Sequence, residues 1–212
     1  MKTSSTVKNV IKWLIFSCFV LIFSAVTYDM SAGAALFTDN YIYENIVLNV
    51  RNDTLTIIFK YITFMGSAAG LIILTGAIFI IVKDKKIGVC IGCNLVLITV
   101  FNLIVKNIIQ RPRPPEERML VYEGGFSFPS GHSMVSFAFY GLILYFIIRF
   151  CKNKTLKAVF SVLIPILIMG IGISRIYLGM HYFSDVLSAF SLSGAYLIIY
   201  TYVIKNIFDK KK

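Results

Sequence analysis

Six runs of apolar residues, each near the length needed to cross a bilayer, decide what this chain can fold into. They cover residues 13–28, 61–82, 87–105, 133–148, 158–174 and 186–204. A helix needs about 20 apolar residues to span the hydrocarbon layer. Inside that layer every backbone N–H and C=O must find a partner within the protein, which a helix provides and an open strand does not. No run alternates in the way a barrel strand does. The expected fold is therefore all-α: one polytopic membrane domain over residues 1–212. It has six transmembrane helices and a short outer interfacial segment after the first.

Composition supports this. Hydrophobic residues make up 58% of the chain and charged residues 15%, against about 25% charged in soluble domains. That much apolar surface excludes a disordered chain and argues against a soluble globule.

The net charge is +11. The basic residues lie mostly between the apolar runs, so they read as orientation signals and not as a nucleic-acid surface. With the N-terminus cytoplasmic, the inner segments hold Lys2, Lys8, Lys12, Lys83, Lys85, Lys86, Arg149, Lys152, Lys154, Lys157, Lys205, Lys210, Lys211 and Lys212. The outer segments hold Arg51, Lys60, Lys106, Arg111, Arg113, Arg118 and Arg175. This bias predicts a cytoplasmic membrane protein with both termini inside.

The connections carry further expectations. A basic start, an apolar centre and the SAGAA stretch at residues 31–35 are also features of a signal peptide, but retention of the first span is expected. Residues 29–56 read as a polar outer connection, partly helical. Gly66, Gly70 and Gly76 read as helix-packing positions in the second span, and Lys60 as a snorkelling side chain. Residues 110–129 hold four prolines and two glycines and read as an irregular loop. Cys90 and Cys93 form a CxxC without a second pair, so they read as helix-packing residues.

Three polar clusters fall on one side of the membrane. Lys106 closes the third span, and Arg113 follows between Pro112 and Pro114. Pro129, Ser130, Gly131 and His132 open the fourth. Ser174, Arg175, His181 and Asp185 join the fifth to the sixth. Three cations, a hydroxyl and the N–H groups of a helix start make a cradle for phosphate oxygens. Both histidines of the chain fall in it. Asp185, four residues after His181, is placed to share a helix face with it. Its carboxylate can then hold one imidazole nitrogen and leave the other basic and aimed. His132 has no such neighbour and is free to act as an acid.

The motifs K-x6-RP, PSGH and SR-x5-H-x3-D resemble the three signatures of the type 2 phosphatidic acid phosphatase superfamily. The match holds at every motif position from Lys106 to Asp185, with six spans as in bacterial membrane lipid phosphatases. The resemblance implies hydrolysis without a metal or other cofactor. It implies that His181 is the nucleophile and becomes a phosphohistidine, that Asp185 orients it, and that His132 protonates the leaving group and then activates water. Lys106, Arg113, Ser130, Gly131 and Arg175 would hold the phosphoryl oxygens.

The expected partners are a lipid phosphate and the bilayer, with no nucleic acid. Undecaprenyl diphosphate is favoured, because Arg111 and Arg118 would meet its extra charge, with phosphatidylglycerol phosphate or phosphatidic acid close behind. Otherwise Arg111 and Arg118 read as solvated or lipid-headgroup contacts, Glu116, Glu117 and Glu123 as solvated, and Tyr177 and Tyr182 as interface aromatics. The rival functions are a lipid phosphotransferase, a relative of haloperoxidases, and a non-catalytic lipid-binding or transport protein.

Overall fold

The structure, a computed structural model, describes residues 5–33 and 35–209. Lys2, Lys210, Lys211 and Lys212 of the basic ends, and Ala34 of the small-residue stretch, lie outside them. The described residues form α1 (Ser5–Ser31), α2 (Ala35–Ile42), a π-helical turn (Tyr43–Val47), α3 (Leu48–Val50), α4 (Asp53–Phe64), α5 (Ala68–Ile81), α6 (Lys85–Ile109), α7 (Gly131–Phe150), α8 (Lys154–Tyr177) and α9 (Phe183–Asp209), with no strand among them.

The helix starts are written locally. Asn52, Ser67, Asp84 and Asn153 accept the N–H of Leu55, Gly70, Lys86 and Leu156, each meeting a donor that a helix start leaves without a partner. At the other end of α6, Gln110 adopts the left-handed conformation (φ 52°) and Pro112 prevents continuation.

Five helices among the described residues are long and apolar enough to cross a membrane: the Asn9–Ser31 part of α1, and α6, α7, α8 and α9. The second run does not form one straight helix. It is split into α4 and α5, bent by 50°, and together they make the sixth candidate span. Gly66 sits at the break. A Cβ there would lie 2.7 Å from Ile171 Cγ2 and from Ser136 Oγ, so only glycine lets the bend press against α7 and α8. A Cβ at Gly70 would lie 2.5 Å from the Phe64 carbonyl oxygen, while one at Gly76 would meet nothing within 4 Å beyond its own helix among the described residues. Gly66 thus packs against neighbouring helices as expected, whereas Gly70 serves the break between α4 and α5.

α7 is the central helix, packed against α6, α8 and α9. α1 lies against α9 and α4 against α8. Phe139, Leu142, Ile171, Ile91 and Leu71 form the main buried core. A smaller cluster of Ile98, Met134, Ala138 and Ala189 joins α6, α7 and α9 nearer the polar end. Leu14, Leu21, Ile80 and Ile108 point outward and are well exposed, as expected where the surroundings are lipid. Cys90 is buried and Cys93 exposed, both as free thiols.

Residues 29–56 are more regular than expected and are tied to the polar end of the bundle. Arg51 donates to the carbonyls of Tyr177 (2.8 Å) and Arg118 (2.7 Å). The Arg51 and Arg118 guanidinium groups both lie over the Tyr43 ring. Tyr177 is not an interface aromatic. It is 2% exposed, packs on Phe59, and its hydroxyl bonds Asn52 and Thr56. The turn after it needs Gly179 (φ 77°), because a Cβ there would collide with the Arg118 carbonyl.

Candidate active site

The three polar clusters meet at one end of α6, α7, α8 and α9. His181 Nδ1 lies 3.4 Å from Asp185 Oδ2. The two residues do not share a helix face, as the four-residue spacing suggested. α9 begins at Phe183, and His181 belongs to the turn before it. Asp185, in the first turn, reaches back to accept the N–H of Tyr182 at 2.9 Å, half of a capping box. That fold-back sets the carboxylate beside the imidazole.

Asp185 is fully buried and heavily engaged. Oδ2 also accepts the Ser127 hydroxyl. Oδ1 accepts Arg111 Nη1 at 2.6 Å. Arg111 Nη2 in turn reaches Asp39 Oδ2 at 2.7 Å. Asp39, from α2, caps α9 from outside by accepting the Ser184 N–H at 2.9 Å and its hydroxyl at 2.6 Å. Arg111 is therefore no headgroup contact. It is 7% exposed and stacks on the ring of the half-buried Tyr182 at 4.1 Å. Burial opposes its charge, and Asp185 and Asp39 more than offset that, raising its pKa.

The cations gather on the other side of His181. Arg113 Nη1 lies 3.3 Å from His181 Nε2 and donates to the Met180 carbonyl at 2.9 Å. Arg113 Nε donates to the carbonyls of Gly124 and Gly125. Arg175 is 2% exposed. Its Nη1 donates to Thr63 at 2.9 Å, and its buried Nε has no partner among the described residues. Lys106 Nζ donates to the Phe126 carbonyl at 2.6 Å. Between Arg113 and Arg175 lies Glu123. Its Oε1 accepts Arg113 Nη2 at 2.9 Å, its Oε2 accepts Arg175 Nη2, and Oε1 is 4.0 Å from His181 Nε2. Glu123 is thus not a solvated loop residue.

These surroundings set the protonation of the loop groups. Burial lowers His181 to about 4. The Asp185 hydrogen bond opposes the shift, and Arg175 and Arg113 add to it. His181 is neutral near pH 7, with Nδ1–H held by Asp185 and the Nε2 lone pair facing the cations. Burial would raise Glu123, but Arg175, His181 and Arg113 overcome it and lower the carboxyl to about 2.

The PSGH turn closes the site. The Ser130 N–H donates to the Asp185 carbonyl at 3.2 Å, and its hydroxyl pairs with Ser133 at 2.9 Å. Ser130 makes no side-chain cap on α7, so the first N–H groups of that helix, beginning at Gly131, are left for another acceptor. Asn102 of α6 anchors the turn by donating to the Pro129 carbonyl at 3.4 Å. A Cβ on Gly131 would lie 3.3 Å from Asn102 Oδ1. The His132 imidazole makes no hydrogen bond among the described residues. It lines a mostly apolar cleft of about 450 Å³ between α5, α6 and α7, with Leu71, Val96, Val100 and Val135.

The PAP2 superfamily matches residues 87–209, from the start of α6 to the end of α9. The chain is also 32% identical to phosphatidylglycerophosphatase B of Bacillus subtilis, over 91% of its own length and 92% of that protein. The chain belongs to the PAP2 superfamily. It is a multi-pass PAP2-type lipid phosphatase. Its fold matches the crystal structure of a transmembrane PAP2-type phosphatidylglycerolphosphate phosphatase from Bacillus subtilis, with TM-score 0.79 and 28% identity over 93% of this chain and 97% of that one. LpxE of Aquifex aeolicus shares the fold at TM-score 0.59 and 24% identity, over 74% of this chain and 91% of that one.

The structure brings Lys106, Arg113, Ser130, Gly131, His132, Arg175, His181 and Asp185 to one end of the bundle. Sequence reasoning missed Asp39, Asn102, Arg111 and Glu123. Asn102, one polar residue inside an apolar run four positions before Lys106, carried a usable signal. Glu123 and Asp39 carried none, since an acidic residue in a polar loop is ordinarily solvated.

Proposed function

We propose that the protein hydrolyses the terminal phosphate of a lipid phosphate through a phosphohistidine on His181, and that phosphatidylglycerol phosphate is the favoured substrate. One observation carries the mechanism. His181 presents Nε2 to the Arg113 side of the cation cluster at 3.3 Å while Asp185 holds Nδ1. A phosphoryl group seated on Lys106, Arg113, Arg175 and the N–H groups at the start of α7 would meet that lone pair.

In the first step Nε2 forms a bond to phosphorus, the bond from phosphorus to the lipid oxygen breaks, and protonated His132 gives that oxygen its proton. In the second step His132 takes a proton from water. The water oxygen bonds phosphorus, the N–P bond breaks, and inorganic phosphate leaves. Asp185 keeps the imidazole in the productive tautomer and stabilises its positive charge while phosphorylated. The cations need no metal beside them in this scheme, because they already supply the charge that offsets the transferring group.

The choice of substrate follows from Arg111 and Arg118. The reason for favouring undecaprenyl diphosphate was that these two would meet the second phosphate. Arg111 is instead engaged by Asp39 and Asp185. Arg118 bonds Asn40, lies 3.8 Å from Glu44 and stacks on Tyr43. A monoester suits the three remaining cations, and the similarity to phosphatidylglycerophosphatase B points the same way. The cleft beside His132 suits the apolar part of such a lipid, and the charge bias of the connecting segments supports a site on the extracytoplasmic face.

The test is phosphate release by purified protein, with EDTA present, over phosphatidylglycerol phosphate, phosphatidic acid and undecaprenyl diphosphate. Phosphatidylglycerol phosphate should turn over fastest and EDTA should change nothing. A phosphorylated lipid product in place of free phosphate would favour a phosphotransferase. A higher kcat/KM for the diphosphate would return the carrier lipid to first place.

A further inference from the structure

Glu123 takes no part in the reaction just described, yet its carboxylate lies at the centre of the cation cluster. Its two oxygens divide between Arg113 and Arg175, as two oxygens of a phosphoryl group would, and Oε1 is 4.0 Å from His181 Nε2. The arginine side chains are 8% and 2% exposed, whereas Glu123 is 31% exposed. The carboxylate therefore lies on the solvent-facing side of the two buried cations.

Resting on the phosphatase reading of this site, we propose that Glu123 is a resident anion that substrate must displace, and that it sets the charge a lipid needs to enter. The carboxylate and a phosphoryl group compete for the same donors of Arg113 and Arg175. A tethered competitor acts at an effective concentration in the millimolar range. A phosphodiester lipid carries a single negative charge per phosphate and gains little by exchanging with a carboxylate of equal charge. A phosphate monoester carries about −1.5 to −2 near pH 7 and gains more from the two arginines than the carboxylate does. Glu123 thus rejects the phosphodiester lipids of the surrounding bilayer and admits monoesters. It also helps inorganic phosphate to leave by returning to its place.

The test compares the wild-type protein with Glu123→Gln, which keeps the shape and removes the charge. Binding of inorganic phosphate, followed by titration calorimetry, needs no turnover. Glu123→Gln should bind phosphate about tenfold to a hundredfold more tightly, the range for a charged hydrogen-bonded competitor. Phosphatidylglycerol in mixed micelles should inhibit Glu123→Gln competitively and leave the wild type nearly unaffected. If Glu123→Gln is poorly folded because two arginines lose their counter-ion, phosphate should raise its unfolding temperature more than it raises that of the wild type. Glu123→Asp, too short to reach both arginines but still charged, should then give intermediate phosphate affinity. Equal or weaker phosphate binding in Glu123→Gln, or equal inhibition of both proteins by phosphatidylglycerol, overturns the role of Glu123 and leaves the phosphatase reading intact. No phosphate binding by either protein removes the cradle itself, and the proposal with it.

Discussion

Arg111 holds Asp185 from the side opposite His181. Its Nη1 lies 2.6 Å from Oδ1, while Oδ2 faces Nδ1 of the imidazole at 3.4 Å. Both side chains are buried, and the second guanidinium arm runs on to Asp39 in α2. The carboxylate beside the proposed nucleophile is thus itself held by a residue at a variable position of the first motif, and through it by α2.

Arg111→Ala leaves two carboxylates buried without their partner. Breaking such a pair costs about 3–5 kcal/mol, so thermal unfolding should shift strongly downward. Arg111→Lys keeps the charge but cannot span both carboxylates. Its kcat should fall about tenfold to a hundredfold with little change in KM, because the cradle is untouched and only the aim of His181 suffers. Asp185→Asn should lose about 10⁴-fold, as when a catalytic triad loses its carboxylate. If Arg111→Lys raised KM and left kcat alone, Arg111 would be a substrate contact and not a positioning residue.

The protonation of His181 makes a stability prediction. Its folded-state pKa is about 4, against an ordinary 6.5. Between those values the unfolded chain binds a proton that the native protein refuses, so stability rises with pH there. Acidifying from pH 6.5 to 4 should therefore remove on the order of 3 kcal/mol, at about 1.4 kcal/mol per pH unit, with no further loss from this group below pH 4. Glu123, lowered to about 2 from 4.5, also stabilises at higher pH, but its share disappears in the separate window from about pH 4.5 to 2. Unfolding temperatures in detergent, measured from pH 7 to 4, should fall less steeply for His181→Gln than for wild type. Parallel curves would mean that His181 is not held neutral by burial.

The proposed extracytoplasmic sidedness of the site rests on charge bias and is open to direct labelling. Tyr122 is 73% exposed in the loop at the site end, and Asn153 is exposed at the turn between α7 and α8. With the four native cysteines replaced, an impermeant thiol reagent added to intact cells should label Tyr122→Cys and spare Asn153→Cys. The reverse pattern would place the site on the cytoplasmic face.

The spans and motif residues were legible because each has a local cause. Apolar runs of bilayer length become helices, and residues at the ends of successive spans must meet at one surface. The break at Gly66 was less legible, since its reason is contact with Ile171 and Ser136 on other helices. The same holds for Asp39 and Arg111, 72 residues apart. Their pairing depends on where α2 folds over the bundle, which no spacing in the sequence states. The helix-face argument for His181 and Asp185 gave the right pair by the wrong geometry, because a turn before α9 also returns the fourth residue to the first.

The two histidines should separate kinetically. His181 faces the cations and has Asp185 behind it, whereas His132 opens α7 beside the apolar cleft with no carboxylate bonded to it among the described residues. Removing His181 should stop phosphoryl transfer from every substrate. Removing His132 should hurt most when the leaving oxygen needs a proton, as a lipid alcohol does, and general acid–base help is worth roughly 10²–10⁴-fold. An aryl phosphate leaves without that proton, so His132→Ala should still become phosphorylated by it. Hydrolysis then lacks the group that activates water, and the phosphoenzyme should persist. Rapid-quench measurements on His132→Ala should give a burst of about one phenolate per site followed by slow turnover. His181→Ala should give no burst. A burst from His181→Ala, or acid-labile phosphate trapped on His132, would exchange the two roles.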